Sequence, residues 1–460
     1  MNITVNDIIK ICNAELIFGN KDEICENFSK DTREIQEGDV YIGIKGENFD
    51  GNDFYEKALE NGAKVCILEN IDISENIKTK YTDKTIMKVP NTIKALQEIA
   101  SYKRSLYNIP VVAVTGSVGK TSTKDILASV VAKKYKVLKT QGNLNNQIGL
   151  PLTILKLKDH TAMVVEMGMS NLGEISTLTK IAKPTVSVIT NVGTAHIGEL
   201  GSRENILKAK LEILEGMQKN GSLVINNDND MLNAWNKTND KYNVITFGIE
   251  NKSDIMGEDI NLQEYSSEFI ANDNNKKLKV EVPVGGKHFV YNGLCAIAVG
   301  KLLNIENKEI LNGIKEFELT KNRMDVKKNK NDVTIINDCY NANYDSMKAA
   351  IEYLAKLNTK RKIAMLGDML ELGEYSVSLH QKIGEEIVKN KIDILITVGT
   401  EAKNIVKKAL ELGYNQEKIY SLETIEEAIK ILKQILNPQD AVLIKASNGM
   451  NFSKIVEAIM

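Results

Sequence analysis

Short apolar runs bounded by Gly, Asn and Asp recur along this chain, and most are followed by apolar residues spaced three and four apart. The first pattern reads as a buried strand, the second as a helix packed on one face. Before residue 109 the runs are brief, as in DVYIGI (39–44) and AKVCIL (63–68), and a helical stretch, 92–107, leads to Ile109-Pro110. Proline disfavours helix in the residue before it, so a boundary is predicted there. From 111 the text turns to strand, loop and helix, with strands predicted at VVAV (111–114), AMVVEM (162–167), TVSVIT (185–190), SLVIN (222–226) and NVITFG (243–248). Residues 251–283 are more polar and hairpin-like, which predicts an insertion. After 319 the alternation restarts with VTIIND, RKIAMLGD, IDILITVGT, KIYSL and DAVLIKAS, each followed by a helical pattern.

Strands alternating with helices predict mainly parallel sheets covered on both faces. The predicted fold class is therefore α/β in three domains. Residues 1–108 form a small N-terminal α/β domain, 109–318 a central P-loop mononucleotide-binding domain, and 319–460 a C-terminal Rossmann-like, doubly wound domain. Ligands of such sheets sit at the carboxyl ends of the strands.

Composition narrows the function classes. A chain of 460 residues exceeds one ordinary core. A net charge of −2 lacks the basic excess of a nucleic-acid binder. Five dispersed cysteines, an odd number, predict reduced thiols in a cytoplasmic protein. The opening residues are too often Asn and Asp for a signal peptide, and no apolar run nears the roughly 20 residues of a membrane span.

The candidate chemistry starts at TGSVGKT (115–121). Thr115, Gly116, Ser117, Val118 and Gly119 form a turn whose amides, with the helix behind, suit phosphate; Lys120 reaches the terminal phosphate and Thr121 offers a hydroxyl to Mg²⁺. The usual spacing places Gly at 114, where this chain has Val114, so the loop is a shortened version. Glu166 closes an apolar strand beside it, where a Mg²⁺-binding carboxylate and a solvated glutamate are equally good readings. His196, one of four histidines, follows another strand. Lys210 lies among small and apolar neighbours on a helix, where a snorkelling lysine is the default.

In order along the chain stand TGSVGKTSTK, GNLNNQIGLPLTIL, EMGMS, NVGTAHIGELGS, KAKLEI, GKHFVYN, NDCYNAN, LGDMLELGE and KASNGMNF. Together they resemble the Mur ligases, ATP-dependent amide-bond formers of cell-wall precursor synthesis, over essentially the whole length. Within that family the set is similar to the members that add D-alanyl-D-alanine to UDP-N-acetylmuramoyl-tripeptide. The resemblance implies that Lys120 and the loop hold ATP and that Thr121 and Glu166 ligate one Mg²⁺. It implies a second Mg²⁺ near His196 and Lys210, the lysine carrying a CO₂-derived carbamate. It assigns Asn292 to adenine, with His288 nearby, and Arg323 and Asp338 to the nucleotide. Asn143, Asn145 and Asn146 go to the muramyl peptide, and Thr32, Arg33, Asp50 and Gly51 to the uridine diphosphate. The incoming dipeptide falls to the C-terminal domain. A cytoplasmic monomer is expected, without nucleic-acid partner. Tyr344, Ala446, Asn448 and Asn52 depart from the usual family residues. The alternatives are the Mur ligase adding the third peptide residue, a folate polyglutamate ligase and, from another class, a switch NTPase.

Overall fold

A computed structural model describes residues 2–273 and 276–460. Its main sheets, of five, nine and six strands, follow one another along the chain. The first runs in the order Glu15–Phe18, Thr85–Lys88, Val65–Leu68, Val40–Ile42, Phe28–Ser29 and is parallel except for the outermost Glu15–Phe18 pairing. Val65–Leu68 is buried at every position, which is why it reads as an unbroken apolar run. Helix Thr92–Ser105 begins where the Asn91 side chain accepts from Lys94 N, and it carries the joint to the next region. Arg104, 3% exposed, donates from Nε to Ala182 O at 2.8 Å and from Nη1 to Tyr107 O at 2.5 Å.

In the nine-stranded sheet Val111–Thr115 lies between Ala162–Glu166 and Val186–Ile189, all three parallel and fully buried. The loops that follow them therefore leave the same carboxyl edge. The hairpin-like reading of the polar segment 251–283 holds for strands Ile255–Leu262, Ser267–Asn272 and Lys277–Val282, which attach to the edge of the central sheet instead of standing apart from it. Ile255–Leu262 runs parallel to Asn243–Gly248, and Ser267–Asn272 and Lys277–Val282 add two antiparallel strands, so the segment extends the same sheet. Their alternation of buried and exposed positions is that of strands with one covered face, and Phe269 packs against Gly293 of helix Lys287–Leu302.

The six-stranded sheet has the order Asp325–Lys328, Thr334–Asn337, Asp440–Lys445, Arg361–Gly367, Ile394–Val398, Ile419–Leu422. The five runs read from the sequence are its parallel strands; the antiparallel edge strand Asp325–Lys328 was not legible in the apolar pattern. The linker between the second and third sheets is tied to helix Lys120–Val131. Asp125 Oδ2 accepts from Thr320 N at 3.1 Å and from Thr320 Oγ1 at 2.7 Å.

Candidate active site

The phosphate loop leaves the central strand. Val114 belongs to that strand, buried and paired with Glu166 and Val188, so no loop glycine is needed there. Gly116 is required by close approach: a Cβ would lie 1.9 Å from Thr190 Oγ1. Gly119 takes φ +81° at the helix start, a backbone that favours glycine. Ser117 N donates to Asn191 O at 3.1 Å and Val118 N to Asn191 Oδ1 at 2.9 Å. Those two amides are committed within the protein, which leaves the amides at the open helix end, from Gly119 to Thr121, for an anion. Lys120 Nζ donates to Gly116 O at 2.8 Å, and burial pushes its pKa down while Glu166 opposes the shift.

A cavity of about 520 Å³ opens at this helix end, walled from the central side by Ser117, Val118, Gly119, Lys120, Thr121, Asn143, Asn145, Asn146, Glu166, His196 and Asn292. Arg323, Asp338, Glu371 and Lys445 come from the third region. Thr115 and Gly116 lie behind the wall, and the Thr115 hydroxyl is spent on Met167 O at 2.9 Å. Thr32, Arg33, Asp50 and Gly51 stand away from the cavity, in the first region. Arg33 is exposed and pairs with Asp31 at 2.5 Å, while the Asp50 side chain caps Gly51–Phe54 by accepting from Asn52 N.

Glu166 is 2% exposed, and its Oε1 accepts from Asn145 Nδ2 at 2.7 Å. Its Oε2 is buried with no hydrogen-bond partner. An orphaned carboxylate oxygen is costly to bury and suits a cation. The Thr121 hydroxyl meanwhile accepts from Arg323 Nη2 at 3.0 Å, and that guanidinium lies 3.8 Å from the Tyr340 ring centre. Among the described residues no three His, Cys, Asp or Glu side chains form a metal-ligand cluster. Mg²⁺ commonly takes one or two carboxylates and completes its shell with phosphate and water, so Glu166 and Thr121 fit one such ion.

His196 has φ +61° and Glu371 φ +64°, and the two meet across the cavity with Nδ1 and Oε2 2.9 Å apart. The approach is close but bent, so His196 Nδ1 remains short of a directed hydrogen bond. It still holds the Glu371 carboxyl below its usual range. Lys210 is 1% exposed and does not reach the cavity wall. Burial, and then the charge of Lys120, push its pKa well down. A neutral amine of this kind is the form that can capture CO₂.

Three family models match in chain order: Mur ligase family, catalytic domain, over residues 27–104; Mur ligase middle domain over 114–300; and Mur ligase, glutamate ligase domain, over 322–448. The UDP-N-acetylmuramoyl-tripeptide–D-alanyl-D-alanine ligase of Bacillus subtilis (strain 168) is 34% identical over 439 residues, covering 95% of this chain and 93% of that protein. The chain belongs to the Mur ligase family. Among solved Mur ligases, MurF from Acinetobacter baumannii superposes with a TM-score of 0.90 at 28% identity, covering 100% of this chain and 99% of that one. MurF ligase from Thermotoga maritima in complex with ADP gives 0.82 at 31% identity, covering 94% and 97%.

Several residues of this Mur ligase site escape sequence reasoning. Lys445, 2% exposed, closes on Asp338 with Nζ 2.5 Å from Oδ2, and Asp338 Oδ1 accepts from Met324 N at 3.1 Å. Asp338 thus holds its own loop as well as facing the cavity. Asn191 shapes the phosphate loop, and Glu371 faces His196. The Asn292 side chain accepts from Thr123 Oγ1 at 3.1 Å, and Asn146 Oδ1 accepts from Gly149 N at 2.9 Å. Asn191, Glu371 and Lys445 lie inside the motifs NVGTAHIGELGS, LGDMLELGE and KASNGMNF, but no local signal singles these three residues out within them.

Proposed function

We propose that this chain is an ATP-dependent amide ligase that joins D-alanyl-D-alanine to UDP-N-acetylmuramoyl-tripeptide, with ADP and phosphate as the other products. The observation that carries it is one cavity walled by two sheet regions: a phosphate-binding helix end on one side, and Arg323, Asp338 and Lys445 on the other. A phosphate switch needs only the first wall. The second provides room for an acyl acceptor. The relatives' names supply the identity of the substrates.

A carboxylate cannot be captured by an amine directly, because its oxygen is a poor leaving group. In the proposed reaction a carboxylate oxygen of the tripeptide attacks the γ-phosphorus of ATP and the bond to ADP breaks. The dipeptide amine then attacks the acyl carbon, the carbon–oxygen bond breaks, phosphate leaves and the amine loses a proton. Lys120 and the helix-end amides offset the repulsion between carboxylate and triphosphate. Glu166 and Thr121 would hold one Mg²⁺, and His196 with a carbamate on Lys210 a second; bound Mg²⁺ supplies further charge neutralisation at the transferred phosphoryl group. Asn292 and His288 face the adenine, Asn143, Asn145 and Asn146 the muramyl peptide, and Thr32, Arg33, Asp50 and Gly51 the uridine diphosphate. The assigned substrate regions are 1–108, 109–318 and 319–460, with closure between them during turnover. The reaction is assigned to the cytoplasm; separately, no described helix is long and apolar enough to cross a membrane.

The test is orthophosphate release with each substrate omitted in turn. Release should require both UDP-N-acetylmuramoyl-tripeptide and D-alanyl-D-alanine. Undiminished release without them would favour a switch NTPase.

A further inference from the structure

The loop that follows strand Val186–Ile189 is held from two sides. Towards the phosphate loop, Ser117 Oγ accepts from Gly193 N at 2.9 Å, and Val118 O accepts from Thr190 Oγ1 at 2.7 Å and from Asn191 Nδ2 at 3.0 Å. From the other side comes Asp345, in the first turn of helix Tyr344–Lys356 in the third region. Its Oδ2 accepts from Thr194 N at 2.9 Å and from Thr194 Oγ1 at 3.1 Å. Gly193 is what lets both contacts exist: a Cβ there would lie 2.2 Å from Asp345 Oδ2 and 3.4 Å from Ser117 Cβ. The carboxylate and the phosphate loop therefore share one bare backbone position between them.

We propose that Asp345 is a positioning residue that couples docking of the third region to the shape of the phosphate loop. The carboxylate fixes Thr194, Thr194 fixes Gly193, and Gly193 with Thr190 and Asn191 fixes Ser117 and Val118. Hydrogen bonds to an ionised oxygen are stronger than neutral ones. Asp345 is only partly buried, so water can take over its bonds when the regions separate. That balance suits a contact made and broken in each turnover. The inference rests on the amide-ligase reading for its catalytic consequence, but not for its effect on nucleotide binding.

Two readouts separate these levels. Calorimetric titration with ADP needs no ligase chemistry: D345A and T194V should each weaken ADP binding about tenfold, the scale of one lost hydrogen bond to a charged group. The double variant should be no weaker than the worse single one, because both changes cut the same link. D345N keeps an acceptor oxygen and should restore binding to within about threefold of the parent. Unchanged ADP affinity in both D345A and T194V overturns the proposal, as do losses that multiply in the double variant or that track a fall in melting temperature. If ADP binding responds as expected while the parent's phosphate release ignores the two acyl substrates, the coupling stands and the ligase reading fails.

Discussion

His288 lines the cavity beside Asn292, and its imidazole is pushed down from 6.5 to about 4. Burial is the main cause; Asp338 opposes it and Lys445 adds to it. The folded protein thus keeps this ring neutral where the unfolded chain would protonate it. The unfolded state binds the extra proton between pH 6.5 and about 4, so stability is complete above 6.5 and falls as the pH drops through that window. At 1.36 kcal/mol per unit the full loss is about 3 kcal/mol, and about 2 kcal/mol of it falls between pH 6.5 and 5. The edge of the ring borders the cavity, so these are upper values. His288→Gln removes the titration while keeping a polar side chain. Hydrogen exchange of amides in helix Lys287–Leu302, followed at pH 7 and pH 5, reads the local opening energy without requiring all three regions to unfold together. The parent should lose up to about 2 kcal/mol relative to the variant on going to pH 5. Identical pH dependence in the two would refute the reasoning.

Other outcomes follow from the same site. Lys120→Ala should reduce kcat by at least about 1,000-fold while circular dichroism stays unchanged, because it removes a cation from the site of developing charge. Lys210→Ala should lose turnover and regain much of it when a short carboxylic acid is added, if a carbamate is what the buried amine provides; a folded variant that is not rescued contradicts that role. Arg33→Ala should raise the Kd for the uridine substrate in calorimetry and leave that for ATP nearly unchanged. Equal losses for both would contradict its placement.

What the sequence made legible was local. The Val111–Thr115 strand, the turn after it and the helix from Lys120 are neighbours in the chain, and each is marked by periodicity or by glycine. Glu166 was placed correctly at the end of its strand, because an apolar run that stops on a carboxylate is visible in one dimension. The cavity's other wall was not visible bottom-up. Thr194 and Asp345 are 151 residues apart, and Asp338 and Lys445 are 107 apart. Periodicity carries no record of contacts at such separation. Strands Ile255–Leu262, Ser267–Asn272 and Lys277–Val282 pair as hairpins, as the pattern reads, but their attachment to the central sheet was not legible, because a sheet edge with one covered face is half polar and resembles a free hairpin. Resemblance to a family pointed to Asp338 and Arg323, yet their grips on Lys445 and Thr121 had to be read from the fold.

The most direct test of phosphoryl transfer to the substrate carboxylate is oxygen tracing. UDP-N-acetylmuramoyl-tripeptide labelled with oxygen-18 in its reacting carboxyl group is turned over with ATP and D-alanyl-D-alanine, and the released orthophosphate is weighed by mass spectrometry. An acyl phosphate that breaks at carbon leaves one labelled oxygen in each phosphate formed. Orthophosphate free of label, from an enzyme that still forms the amide, would contradict the account.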